Sequence, residues 1–225
     1  VNAYRDGECD FGALLRHTAK IDGIERIRFT SPHPSDMSEA VIEAMATCPK
    51  VMPYVHLPLQ SGSNRVLERM ERGYTLEEYA VLVERLRTAM PGIAFSTDII
   101  VGFPGEEEED FQATYDFMTE MRYDSAFMFK YSAREGTKAY KWRETLSEEE
   151  KGRRLEAIIH LQERISGEIN QHSIGQMVEV LVQGPAKKQK DWLVGKSRPF
   201  KTVVFPGNGA QPGDLVSVKV ASATA

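Results

Sequence analysis

Strand-like apolar runs alternate with amphipathic helix patterns from residue 24 to residue 131, and this alternation limits the possible folds more than any other feature of the chain. The runs fall at Ile24–Thr30, from Tyr54, at Ala94–Phe103 and at Ala126–Tyr131. Helical stripes lie before and between them: Phe11, Leu14, Leu15 and Thr18; Met37, Val41, Ile42 and Met45; Tyr79, Leu82, Val83, Leu86 and Met90; Phe111, Tyr115, Met118 and Met121. Strand–helix–strand repetition predicts parallel strands joined by right-handed crossovers. Four strands cannot close an eight-stranded barrel, so the expected fold class is α/β, with a partial parallel barrel or an open sheet.

The second run has the most to say about function. Tyr54-Val55-His56-Leu57-Pro58-Leu59 is apolar and ends in Gln60-Ser61-Gly62-Ser63-Asn64, where every side chain is polar or absent. In α/β folds ligands collect at the carboxyl ends of parallel strands, where the loops gather over a rigid floor. Pro58 cannot donate to a ladder and marks where pairing stops. An ordinary strand-to-helix turn is the alternative reading of the same pattern.

Residues 147–172 read as one charged helix linking the sheet to the carboxy-terminal tail, with Leu155, Ile158, Ile159, Gln162, Ile165 and Ile169 on one side. After Gly175 the texture changes to short alternating stretches separated by Gly-Pro and Pro-Gly turns, which predicts a small all-β unit of the OB kind. The expected divisions are therefore 1–146, 147–172 and 173–225. From Ile174 onward seven Lys or Arg face three Asp or Glu, a balance of +4, whereas the whole chain carries −5 and residues 1–173 therefore −9. Nucleic-acid contact is expected on this basic tail, at Lys187, Lys188, Lys190 and Trp192, which combine charge with an aromatic ring. A solvated hairpin tip is the plainer alternative. Cys9 and Cys48 are the only cysteines, and two lone thiols suit a reducing cytoplasm better than a disulfide scaffold. No apolar run approaches the length of a membrane span.

Four long motifs in order carry a resemblance that covers nearly the whole chain. They are His56-Leu57-Pro58-Leu59-Gln60-Ser61-Gly62-Ser63, Arg72-Gly73-Tyr74-Thr75, Thr97-Asp98-Ile99-Ile100-Val101-Gly102-Phe103-Pro104-Gly105-Glu106, and Phe129-Lys130-Tyr131-Ser132-Ala133-Arg134-Glu135-Gly136-Thr137. Together they resemble the radical S-adenosylmethionine methylthiotransferases. Gln183-Gly184-Pro185-Ala186-Lys187-Lys188 and Val203-Val204-Phe205-Pro206-Gly207 resemble the TRAM module that ends these enzymes. Phe29-Thr30-Ser31-Pro32-His33-Pro34, His56 and Phe129-Lys130-Tyr131-Ser132 are similar to the branch acting on N6-dimethylallyladenosine 37 of the tRNA anticodon loop. Branches acting on threonylcarbamoyl-adenosine or on a ribosomal protein stay open, as does a non-catalytic RNA-binding module. An aldolase-like barrel ranks last, because Lys130 is the sole lysine at a strand end.

The resemblance implies S-adenosylmethionine as cofactor and two 4Fe–4S clusters in the full-length enzyme. Each cluster is held by three cysteines, and none of these ligands is among the residues of this chain, so the chain is expected to be a carboxy-terminal fragment, inactive alone. An electron donor, a tRNA partner and a monomeric, cytoplasmic enzyme are also implied. Gln60, Ser61 and Ser63 are candidates for the ribose and amino-acid end of the cofactor, and Asp98 for its ammonium or ribose, the alternative for Asp98 being a buried carboxylate satisfied by neighbouring backbone. Gly102 and Gly105 would let backbone approach adenine, or serve turn geometry alone. Arg134 is a candidate for the cofactor carboxylate or an RNA phosphate, a bidentate task for guanidinium, with a plain surface salt bridge as the alternative. His33 and His56 either line the pocket or are satisfied core residues. The acidic run Glu106–Asp110 is assigned only to the helix macrodipole.

Overall fold

A hairpin of β1 (Arg5–Asp6) and β2 (Cys9–Asp10) precedes α1 (Phe11–Ala19), which starts where the Asp10 carboxylate accepts from the Ala13 N–H at 2.7 Å. Next come α2 (Glu39–Thr47), β3 (Tyr54–His56), α3 (Asn64–Arg69), α4 (Leu76–Ala89), β4 (Ala94–Val101), α5 (Glu108–Met121), β5 (Ser125–Lys130) and the long α6 (Glu148–Gln171). The tail contributes β6 (Met177–Pro185), β7 (Trp192–Ser197), β8 (Thr202–Pro206) and β9 (Leu215–Lys219). The structure, a computed structural model, describes residues 1–225.

Strands β3, β4 and β5 form a parallel sheet in sequential order, with Tyr54 opposite Ala94 and Ser96 opposite Ser125. The expected strand at 24–30 survives only as a parallel bridge between Ile27 and Val51. Ile27 donates to the Lys50 carbonyl (2.6 Å) and accepts from the Met52 N–H (3.0 Å). The ladder ends there because Ser31 takes a positive φ of 50°, Pro32 and Pro34 follow, and the flanking arginines are engaged elsewhere.

One face of the sheet is covered. Val55, Leu57, Leu59, Phe95, Ile99 and Val101 pack into a core with Leu82, Leu86, Met118 and Ile158. Removing one such leucine side chain typically costs about 2–5 kcal/mol. The opposite face is open: Phe127 and Phe129 are 56 % and 51 % exposed. Parallel sheets are ordinarily covered on both faces, so this uncovered face is where a site belongs.

The tail strands form an antiparallel sheet in the order β8-β7-β6-β9, with no pairing between the two edge strands. Its own core is small, built on Val180, Val182 and Phe205. Much of its anchorage comes from the β7–β8 turn, residues 197–201, which sits against the amino-terminal ends of the parallel strands. Arg28 donates to the carbonyls of Ser197 (2.8 Å) and Arg198 (2.9 Å), Arg26 to that of Lys196 (2.8 Å), and Arg198 to that of Pro49 (2.9 Å). Lys201 pairs with Asp124 at 2.6 Å. Phe200 packs on Tyr54 with ring centroids 4.9 Å apart, and the charges of Arg28 (4.7 Å) and Lys196 (4.4 Å) lie over its ring. Burial, reinforced by Arg26, brings the Arg28 guanidinium down to about 10.

Phe200 holds this position with φ at 68°, a conformation that costs a bulky side chain on the order of 1–2 kcal/mol. Phe200→Ala loses the stack and keeps the strain, whereas Phe200→Gly loses the stack and releases it. The Gly variant is therefore expected to be the more stable of the two, by about 1 kcal/mol in urea unfolding. Equal or reversed stabilities would show that the turn relaxes once the ring is gone.

Candidate functional site

The site begins where β3 runs out of ladder. Beyond His56 the strand's carbonyls are taken by side chains. Tyr79 donates to the Leu57 carbonyl (2.8 Å), Tyr74 to those of Pro58 (3.0 Å) and Leu59 (2.9 Å), and the Thr97 hydroxyl bridges Leu57 and Leu59 at 2.9 Å each. Pairing resumes once, at Gln60. Its N–H donates to the Asp98 carbonyl (2.8 Å) and its carbonyl accepts from Ile100 (2.9 Å). These two bonds hold Gln60 at φ 74°, an uncommon backbone for a residue with a side chain, and such strain concentrates at functional positions.

Gln60 thereby joins Asp98 and Arg134 on a cavity of about 730 Å³ at the carboxyl ends of the strands. Phe103, Phe129, Tyr131 and Trp142 also line it. Phe103 meets Tyr131 and Trp142 edge-on at 5.2 and 5.9 Å, and the Arg69 guanidinium lies 4.7 Å over the Trp142 ring. The Tyr131 hydroxyl in this wall is shielded from solvent and has no hydrogen-bond partner.

A polar ladder runs down the open face from Asp98. His56 Nε2 is 3.3 Å from Asp98 Oδ2, its Nδ1 is 2.7 Å from Ser96 Oγ, and Ser96 Oγ is 2.6 Å from the Tyr54 hydroxyl. His56 is thus a buried, satisfied residue that orients Asp98 from beneath the cavity. Burial raises the Tyr54 phenol, against its bond to Ser96. His33 lies outside the cavity, with its ring 5.6 Å from Tyr74, and burial and Arg72 lower it.

Four candidate residues are placed away from the cavity. Ser61 is fully buried, its hydroxyl 3.4 Å from that of Thr114. Ser63 caps α3, accepting from Val66 at 3.4 Å and donating to Asp110 at 2.6 Å. Both hydroxyls serve to seat the strand tip on α5. The neighbouring backbone approaches so closely that a Cβ on Gly62 would lie 2.4 Å from the Thr114 Cα. Gly102 and Gly105 make turns at φ 77° and 85°, and their open sides are filled by the side chains of Lys151 and Arg69.

The acidic run after them does more than oppose a macrodipole. Glu106 is buried, accepts from the Gly102 N–H (2.9 Å) and pairs with the buried Arg154 (2.7 Å). Burial pushes the Glu106 carboxyl up, against those two bonds. Arg154 also reaches Glu108 and Glu150, each at 2.9 Å, and Lys151 holds Glu144 and Glu148. This network fixes α6 to the loop that ends β4. Sequence patterning missed Arg69, Phe103, Tyr131 and Trp142. Only Trp142, an aromatic in a strongly polar stretch, carried a local signal.

Lys187, Lys188 and Lys190 share one exposed hairpin tip between β6 and β7, with Trp192 half-buried at its base. The tip lies at the opposite end of β7 from the docked turn. No three His, Cys, Asp or Glu side chains converge as a metal site, and Cys9 and Cys48 are free. No helix is long and apolar enough to cross a membrane.

The model of the radical SAM superfamily matches residues 5–118, half of the chain, and the chain belongs to that superfamily. Its curated relatives are narrower in kind. It is 50 % identical over 223 residues to the tRNA-2-methylthio-N(6)-dimethylallyladenosine synthase of Alkaliphilus oremlandii, covering 98 % of this chain and 47 % of that protein. The synthase of the same name from Carboxydothermus hydrogenoformans is 48 % identical, with 98 % and 51 % covered. The chain spans about half the length of these relatives. Among solved structures, coproporphyrinogen III oxidase from Escherichia coli, a radical SAM enzyme, superposes with a TM-score of 0.50 at 16 % identity, over 73 % of this chain and 45 % of that one. That likeness concerns the fold.

The residues present fit S-adenosylmethionine in part. The cavity offers Gln60 and Asp98 for hydroxyl or ammonium groups, Arg134 for a carboxylate, aromatic walls, and the unpartnered Tyr131 hydroxyl. They do not fit an iron–sulfur cluster, which needs thiolates that this site does not contain.

The network at the start of α6 gives a pH dependence. Side-chain bonds from Lys130 and Lys151 pull Glu148 down to about 2, and bonds from Arg153 and Arg154 do the same to Glu150. A carboxyl with a folded value below its ordinary 4.5 stabilises the fold above that pH and loses the contribution as pH falls toward 2. Thermal unfolding followed across this window should show stability falling with acid, less steeply in Arg153→Ala. A wild-type profile without slope would contradict the network.

Proposed function

We propose that this chain is the part of a tRNA methylthiotransferase that seats S-adenosylmethionine and presents the substrate adenosine, modifying C2 of N6-dimethylallyladenosine 37 in the full-length enzyme. The observation that carries this reading is the convergence of Gln60, Asp98 and Arg134, drawn from three separate motifs, on one aromatic-walled cavity at the strand ends. Gln60 and Asp98 would hold the cofactor's ribose or ammonium, and Arg134 its carboxylate or an RNA phosphate. The chemistry the cofactor would supply when bound is radical chemistry. The protein's share is to position it, exclude water through Phe103, Phe129 and Trp142, and keep Asp98 oriented through His56. Residues 173–225 are read as an OB-like TRAM module that grips tRNA, and an electron donor completes the set of partners.

Because Cys9 and Cys48 cannot supply the thiolates of even one cluster, these 225 residues are proposed to form no deoxyadenosine by themselves. The test is anaerobic reconstitution with iron, sulfide and a strong reductant, beside a chain extended upstream through both cysteine trios. The extended chain should form deoxyadenosine, and its Asp98→Asn variant should form it on the order of 100-fold more slowly, as expected when an oriented charged contact is lost. Comparable rates from the 225-residue chain and the extended one would overturn the assignment of missing ligands. An inactive extended chain would favour the second reading, a non-catalytic RNA-binding module.

The exposed tip lysines make the RNA claim separately testable. Changing Lys187, Lys188 and Lys190 together to Ala should lower the slope of log affinity against log salt by about 2, from three phosphate contacts at roughly 0.7 each. An unchanged slope would take this tip off the RNA.

A further inference from the structure

The segment between β5 and α6, residues 131–146, crosses the mouth of the cavity as an irregular strap. It carries four Lys or Arg against two Glu, and one of those glutamates, Glu144, is held by Lys151. Lys138 pairs with Glu71, but Arg134, Lys141 and Arg143 have no ion-pair partner. Within an acidic body this strap is net basic.

The strap also has two hollow sides. Its inner side closes the cavity through Thr137, Ala139 and Trp142. Its outer side forms a second hollow of about 410 Å³, lined by Gly136, Thr137, Lys138, Tyr140, Lys141 and Trp142. Thr137, Lys138 and Trp142 border both, so the strap itself is the wall between them. Tyr140 is 52 % exposed with its ring on the outer hollow. Thr137 accepts from the Tyr140 N–H at 3.3 Å and holds the short 3-10 turn that presents the ring.

We propose that the outer hollow is a binding site for a nucleotide adjacent to the one that enters the cavity: single-stranded RNA, with its base on Tyr140 and its phosphates on Lys141 and Arg143. The proposal rests on the RNA-modifying reading above and adds a contact to it. An exposed aromatic flanked by unpaired cations is the combination that holds unpaired nucleotides without reading their sequence. The shared wall gives the geometry: a chain that inserts one base into the cavity must carry its neighbour over the strap. The aromatic–cation pairing and the hollow's open form favour this over an acidic protein partner, which would need no stacking surface.

The probe is a fluorescein-labelled anticodon stem-loop RNA, titrated by anisotropy into the full chain at several salt concentrations. Tyr140→Ala should weaken binding about ten-fold, in the range of one lost base stack, while Tyr140→Phe retains it. Lys141→Ala with Arg143→Ala should lower the salt slope by about 1.4, and the exchange of Lys141 for Arg should leave it unchanged. A duplex lacking the loop should be insensitive to Tyr140→Ala. If wild type binds with a salt-dependent affinity and the strap variants match it, the strap proposal fails and the RNA reading stands. If wild type does not bind the stem-loop, both fail. Unchanged thermal unfolding of each variant keeps loss of binding distinct from loss of fold.

Discussion

The pinning of Gln60 to β4 is the contact on which the site depends. Two backbone bonds, to the Asp98 carbonyl and from the Ile100 N–H, tie the tip beyond β3 to the carboxyl half of β4 after the regular ladder has stopped at His56. They put the Gln60 and Asp98 side chains on the same cavity and hold Gln60 at a positive φ that an isolated strand tip would not keep. Tyr74, Tyr79 and Thr97 make those bonds possible by satisfying the carbonyls of residues 57–59, which would otherwise be buried without partners. The Tyr123 hydroxyl backs Tyr79 at 3.2 Å, so the support reaches from the α5–β5 turn through α4 to the strand tip.

Around this tip the molecule works as two clamps. At the carboxyl end of the strands, Arg154 and Glu106 fasten α6 to the β4 loop inside a buried ion pair, where removing one partner would typically cost about 3–5 kcal/mol. At the amino end, Arg26, Arg28 and Phe200 fasten the tail sheet. The ladder Tyr54–Ser96–His56–Asp98 joins the two ends along the open face. The tail sheet is thus held at one end, with its lysine tip at the opposite end of β7 from the docked turn.

Much of the fold was legible because periodicity reports burial directly. The stripes on α4, α5 and α6 and the alternation in β4 are consequences of which atoms leave water. The strand at 24–30 was over-read for the same reason: alternation of Ile27 and Phe29 with Arg26 and Arg28 reflects arginines turned toward the tail sheet, a contact about 170 residues away in sequence. At the site, Gln60, Asp98 and Arg134 were readable from motif position, but Ser61 and Ser63 were not separable from Gln60. Only the close approach of α5 at Gly62 turns them inward. Arg69, Phe103 and Trp142 converge from three distant segments, a juxtaposition that no local pattern encodes.

Amide hydrogen exchange of the protein, with and without S-adenosylmethionine, tests the central claim most directly. If the pinned tip is the cofactor's seat, the amides of Gln60 and Ile100 and those of residues 131–134 should gain protection together. Residues 186–191 should be unchanged. Protection confined to other segments, or none at saturating cofactor, would contradict the account.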